Sequence, residues 1–300
     1  MKKSRKTEEA HGIGSLLLLD LPEACVSHAI SLTTPGDACR CSAVSRAFQA
    51  AADLDAVWER FLPTDYSSIL ARADDPVDLS STKKDLFRSL VQEHVLLDKG
   101  TKSFSLDKIR GGKCYMLSSR SLGIAWGWGN HPIHWRFLSL ADSRFEQVAE
   151  LLSVCWLHIT GKIGSRELSP STTYSAYLVF KLADDSYGLD SLTQEASITV
   201  GDNNVSKRIV SLYPRKQESQ SSTSSTSTDE QHNAEEQGEC RTRSYPRQRA
   251  DGWLEVEMGQ FYNDQGEDGE VTILFTEIVE QHWKKGLILE GIEIRPKHTP

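Results

Sequence analysis

Two different periods run along this chain. Between Ser15 and Leu62 apolar residues recur every three or four positions, the spacing of one helical face. Leu21, Val26, Ala29 and Ile30 form the first stripe. Asp20-Leu21-Pro22-Glu23 reads as its start: Asp20 can accept free N–H groups, Pro22 has none to leave unpaired, and Glu23 suits the positive end of the helix dipole. Thr34-Pro35-Gly36-Asp37 reads as the next start, with Thr34 as the cap and Asp37 at the capping-box position. A stripe through Ala38, Cys41, Val44, Ala47, Phe48 and Ala51 follows, then one through Leu54, Val57, Trp58 and Phe61, ended by Leu62-Pro63. The spacing predicts three short helices over 15–63. That is marginal for an independent core, so the module is expected to lean on a partner or on the rest of the chain.

Residues 64–101 read as a helical linker, with a polar stretch at 74–81 and an amphipathic helix over Thr82–Leu97 through Leu86, Leu90, Val91 and His94. Near Gly111-Gly112 the period shortens. Short apolar or alternating runs follow at Cys114–Leu117, Tyr174–Leu182, Ile198–Val200, Ile209–Tyr213, Trp253–Met258, Val271–Phe275 and Leu287–Ile294, separated by Gly, Asp, Asn and Pro turns. This pattern predicts an antiparallel β-sandwich over 102–297. Ser143–Trp156 fits a helix as well as a strand. Residues 216–249 cannot be core: a Ser/Thr tract is followed by acids and then by Arg241, Arg243, Arg247 and Arg249. They read as a disordered insertion between two strands, and 1–14 as a disordered basic tail.

The fold class expected is therefore multi-domain α + β, a three-helix module ahead of a sandwich. Composition narrows what it could do. With 34 basic and 42 acidic side chains the net charge is −8, which disfavours grip on nucleic acid or an anionic membrane through bulk electrostatics. The apolar run near the N-terminus, Leu16–Leu19, is far short of a bilayer span, and a signal peptide is not indicated. The chain reads as one of the cytoplasm and nucleus. Its six cysteines contain no C-x-x-C, so neither a disulfide framework nor a paired zinc site is indicated. His131 and His134 lack a third ligand, and Glu255 and Glu257 on one strand face are ordinary wet-face acids. No nucleophile elbow, P-loop or dinucleotide fingerprint is present, and neither a cofactor nor a metal is expected.

Leu21-Pro22, Ile30, Pro35, Asp37, Ala38, Val44-Ser45, Phe48 and Val57-Trp58, in this register over 16–63, resemble the F-box motif. The resemblance implies docking onto the Skp-type adaptor of a cullin–RING ubiquitin ligase, with Leu21, Pro22, Ile30, Pro35, Asp37, Val44 and Trp58 as adaptor-contacting residues. Farther on, Lys113–Arg120, Ser143–Phe145, Val148–Leu152, Val154–Trp156, Leu168–Pro170, Ala176–Lys181, Arg249–Glu255 and Gly291–Pro296 resemble the plant phloem protein 2 lectins over about 102–297. That resemblance implies a glycan-binding jelly-roll sandwich. Indoles can stack on the C–H faces of sugars while amides bond their hydroxyls. Trp126, Trp128, Asn130 and Trp135 supply both kinds of group in one stretch. The lectins carry two site tryptophans seven residues apart. Trp128 and Trp135 keep that spacing, whereas counting forward from Arg120 places the first on Trp126, as if a Trp-Gly pair were duplicated.

Together the resemblances imply a non-catalytic substrate receptor of a Skp–cullin–F-box ligase whose sandwich binds a glycan or glycoprotein. Two alternatives stay open: a lectin acting without the ligase, and a receptor whose sandwich binds a protein epitope and no sugar.

Overall fold

The computed structural model describes residues 21–127, 133–214, 243–264 and 269–298. The expected Asp20 cap, the tail at 1–14 and most of the Ser-rich insertion lie outside the described residues. The amino-terminal third is helical: α1 (Glu23–Ser31), α2 (Pro35–Ser42), α3 (Arg46–Asp53), α4 (Asp55–Phe61), α5 (Tyr66–Leu70) and α6 (Lys83–Gln92). Thr34 caps α2 as expected, its Oγ1 accepting the Asp37 N–H at 3.2 Å. The middle stripe is two helices, not one. Ser45 is extended and accepts the Phe48 N–H at 3.3 Å, so it starts α3 where the periodicity alone runs on.

The linker is less helical than its pattern. α6 stops at Gln92, and β1 (Val95–Leu97) pairs with β2 (Lys102–Leu106) across a turn whose Asp98, Lys99 and Gly100 all have positive φ. His94 thus leaves the helix. The remaining strands are β3 (Lys113–Ser118), β4 (Gly123–Ile124), β5 (Trp135–Leu138), β6 (Val148–Leu151), β7 (Leu157–Gly164), β8 (Thr172–Tyr187), β9 (Glu195–Val200), β10 (Asn203–Ile209), β11 (Arg247–Gln248), β12 (Leu254–Asn263), β13 (Glu270–Glu277) and β14 (Lys285–Pro296). All named pairings are antiparallel. One sheet runs β1-β2-β3-β14-β8-β12-β11, with β6 also on β14 and β5 on β6, and the other runs β10-β9-β13-β7-β4.

Burial explains the patterns. β7 and β13 alternate buried and wetter positions, as in a sheet with one face on the core. β14 and the middle of β8 are buried on both faces. The outer face of the larger sheet is covered by a second apolar cluster of Met116, Phe145, Val148, Val179 and Trp253. This double coverage resolves the ambiguous Ser143–Trp156 in favour of strand β6, whose alternation is lost because both faces are packed. The run Ile209–Tyr213, by contrast, is strand only at Ile209, the last residue of β10. Val210 and Leu212 plug the sandwich, and Gln194 ties the segment down, its Oε1 accepting the Leu212 N–H at 3.0 Å.

Residues 243–249, read from the sequence as part of the insertion, belong to the sandwich. Arg249 lies 2.7 Å from Glu255 and 2.5 Å from Glu293, Arg295 bridges the same two carboxylates at 2.7 Å each, and Arg144 reaches Glu293 at 3.5 Å. Glu255 is thus buried, not the wet-face acid that its strand pattern suggests; burial alone would raise its carboxyl, but Arg295, Arg247 and Arg249 override it and hold it down to about 2. Composition could not show this, because the carboxylates that anchor these arginines lie on other strands.

The helical module does lean on the sandwich. Trp58 packs against Phe61 and Phe87, and one hydrophobic cluster runs without a break from Val26 and Ile30 through Leu90 and Leu97 to Ile292 and Ile294. Gly111 marks the junction: its φ is +74°, and a Cβ there would lie 2.6 Å from the Phe61 carbonyl oxygen. Lys113–Asp65 at 3.1 Å, Lys102–Glu167 at 2.6 Å and the Arg72–Asp98 pair add polar ties around it.

Candidate functional site at the two ends of the sandwich

β14 runs the length of the sandwich, about 36 Å at the usual rise per residue. Its Pro296 end meets the helical module, and its Lys285 end meets the loops that join β4 to β5, β6 to β7, β8 to β9 and β13 to β14. The candidate residues fall at these opposite ends.

In the helical module, Ile30, Pro35 and Trp58 are buried in the module itself; the Trp58 Nε1–H donates to the Ala52 carbonyl at 2.7 Å. Asp37 is partly exposed and is held below its ordinary value by the Thr34 hydroxyl and then Arg40. The side chains left open are Leu21, Pro22 and Val44, the last with 67% of its surface exposed. Leu32, at the end of α1, is also exposed and was missed, since in the sequence it merely continues a helical stripe. The expected contact set thus separates into a buried scaffold and an exposed apolar group at the helix ends.

At the far end, Trp128 and Asn130 lie outside the described residues. Trp126 and Trp135 are not brought together as a pair of platforms. Trp135 starts β5 and is 2% exposed, its ring in the main core and its Nε1–H without a partner among the described residues. A side chain so enclosed offers no face to a sugar. Trp126 is the opposite case: 56% exposed, at φ +64°, with ring centroids 5.5 Å from His134 and 5.7 Å from Trp156, both edge-on. A bulky residue held in the left-handed region is strained, and strain of this kind gathers at functional sites. His134 is fixed beneath it, its Nδ1 2.7 Å from the Ser153 carbonyl oxygen.

The neighbouring loops are built on a buried cation. Lys284 Nζ, with no exposed surface, donates to the carbonyls of Cys155 at 3.0 Å, Glu280 at 2.8 Å and His282 at 2.9 Å and pairs with buried Glu277. Gly188, at φ +68°, presses on the same loop; a Cβ there would sit 2.2 Å from the Trp283 carbonyl oxygen. Around this clamp Trp126, Ile133, Leu192, Ile278, Val279 and Trp283 are all exposed. Among the described residues no group of three His, Cys, Asp or Glu could hold a metal, and no helix is long and apolar enough to cross a membrane.

Comparison with known proteins fits this division. Residues 18–60 match the F-box domain and residues 112–296 match Phloem protein 2. The chain is an F-box protein of the phloem protein 2 family. Relatives in Arabidopsis thaliana include F-box protein PP2-B15, 41% identical over 92% of this chain and 96% of that protein. Putative F-box protein PP2-B2 is 38% identical over 99% of this chain and 89% of its own length. F-box protein VBF is 37% identical over 93% and 100%. The F-box therefore ends near α4, and the phloem protein 2 domain begins at the Gly111-Gly112 junction, with α5, α6, β1 and β2 joining them.

Trp156 and Trp283 were not singled out from the sequence as site residues. Their signal is an indole in a loop between strands, Val154-Cys155-Trp156 and Gln281-His282-Trp283, and it becomes legible only once the topology brings those loops to one end.

Proposed function

We propose that this F-box phloem protein 2 chain is the non-catalytic substrate-recognition subunit of a Skp–cullin–F-box ubiquitin ligase in the cytoplasm and nucleus. The adaptor would dock on Leu21, Pro22, Leu32 and Val44, and the target would be held by the far end of the sandwich. The observation that carries this reading is the continuous core. It fixes an F-box with an exposed apolar group to a sandwich whose exposed apolar group points the other way. A rigid spacer of this kind keeps a bound target at a defined distance from the adaptor and so raises its effective concentration there.

For the target, a glycan reading rests on Trp126, whose open indole face could stack on a sugar while His134 and Trp156 hold the ring upright. Aliphatic Ile133, Leu192, Ile278 and Val279, exposed on the loops of the same end, favour a second reading, a protein epitope, because aliphatic side chains supply none of the hydrogen bonds that a sugar's hydroxyls need. Glycan-array binding with Trp126→Ala separates the two. Loss of binding with the fold intact supports the glycan reading; no binding by either form favours the protein epitope. Co-expression with a plant Skp adaptor tests the ligase role: Leu21→Ala/Pro22→Ala should abolish co-elution without changing thermal stability.

A further inference from the structure

A cleft of about 300 Å³ opens where the end of α4 meets the sandwich. Its lining differs in charge from the rest of the molecule. Arg110, Lys297 and His298 face it together with the hydroxyl-bearing residues Ser169, Ser171, Thr172 and Thr173, and among the described residues no carboxylate lines it, in a chain with net charge −8. Arg110 and Lys297 make no ion pair among the described residues. The basic groove between α2, α4 and α6 is a contrast, for its Lys84 and Arg88 are already paired with Asp53 at 2.5 Å and Asp85 at 2.9 Å.

The arrangement is held in place by a group outside the cleft. One oxygen of Asp107 accepts the N–H groups of Ile109 and Arg110 at 3.1 and 2.8 Å, and the other lies 2.7 Å from His298 Nε2, so one carboxylate sets both the Arg110 turn and the His298 ring. Lys297 is anchored by its N–H on the Thr173 carbonyl at 2.8 Å. Ser171 sits at φ +50°, a conformation that a serine rarely adopts.

We propose that this junction cleft binds a small phosphate-type oxyanion. Guanidinium, ammonium and hydroxyl donors around an open hollow suit tetrahedral oxygens, which accept several charge-assisted hydrogen bonds at once. The hollow is at the lower limit for a small-molecule site. Because Phe61, Leu62 and Pro63 form one wall and the sandwich the others, a bound anion would also tie the F-box to the phloem protein 2 domain.

The test is isothermal titration of the full chain with pyrophosphate at constant ionic strength, alongside malonate as a carboxylate dianion. Saturable one-to-one binding is expected, weakened at least tenfold in Arg110→Ala/Lys297→Ala and unchanged in Lys162→Ala, an exposed lysine on β7. Pyrophosphate should also raise the melting temperature of the wild type more than that of the double variant, which removes the general salting effect of phosphates. Absence of saturable binding, equal affinity in the folded double variant, or malonate binding as tightly would each overturn the proposal. Should the double variant not fold, Arg110→Ala alone, at an exposed position, carries the same comparison.

Discussion

The two ends of the sandwich use the same device to opposite effect. At the F-box end, Gly111 lets a loop close onto the Phe61 carbonyl, and the apolar side chains on both sides vanish into one core. At the far end, Gly188 lets a loop close onto the Trp283 carbonyl, and Lys284 gathers three more carbonyls, yet Trp126, Val279 and Trp283 stay in water. Loops that merely connect strands need no buried ammonium. Rigid loops that display apolar side chains resemble a preorganised binding surface, which loses little freedom when a ligand arrives.

Removing the Lys284 clamp should have the largest effect. Lys284→Met strands the Glu277 carboxylate in the interior and leaves three carbonyls without a donor, so guanidinium unfolding should show a loss of about 3–5 kcal/mol. The double change Lys284→Met/Glu277→Leu should recover most of it. If Lys284→Met were neutral, the far end would not be clamped. At the other end, Leu90→Ala removes a fully buried side chain between module and sheet and should cost about 2–5 kcal/mol. Helical signal and tryptophan fluorescence should still fall together; two separate transitions would mean that the ends are not mechanically joined.

Acid should reach the sheet between them. Glu255 sits near 2 in the fold against 4.5 as an ordinary glutamate, a depressed value, so its contribution is complete above 4.5 and is lost as pH falls from there toward 2. That is on the order of 3 kcal/mol, and Glu255→Gln should flatten this limb of a stability–pH curve. The smallest effect expected is at Trp126. Trp126→Gly relieves a positive φ and should leave stability unchanged or raise it by about 1 kcal/mol, while removing ligand binding at that end. A clear loss of stability would show the indole to be structural.

Much of this was legible in the sequence wherever the signal is local. Thr34 capping α2, the F-box register and the strands at the runs from Cys114, Tyr174, Ile198, Trp253, Val271 and Leu287 depend on neighbours in the chain, and they stand where the pattern places them. What the pattern misread depends on distant partners. The helical period of Thr82–Leu97 could not foresee that β2 would recruit its last three residues, nor could a Ser-rich context reveal that Arg249 ends between Glu255 and Glu293. Trp135 and Trp126 are equivalent indoles in the sequence; only the register of β5 on β6 sends one into the core. The far-end loops are invisible to periodicity altogether, because four of them meet only after the sheets have formed.

The most direct test of the account is size-exclusion chromatography of the full chain co-expressed with a plant Skp adaptor, run for the wild type, Leu21→Ala/Pro22→Ala and Trp126→Ala. The account predicts a stoichiometric complex for the wild type and Trp126→Ala and none for the double variant. Separate elution of folded wild-type chain and adaptor, or a complex that survives Leu21→Ala/Pro22→Ala, would contradict it.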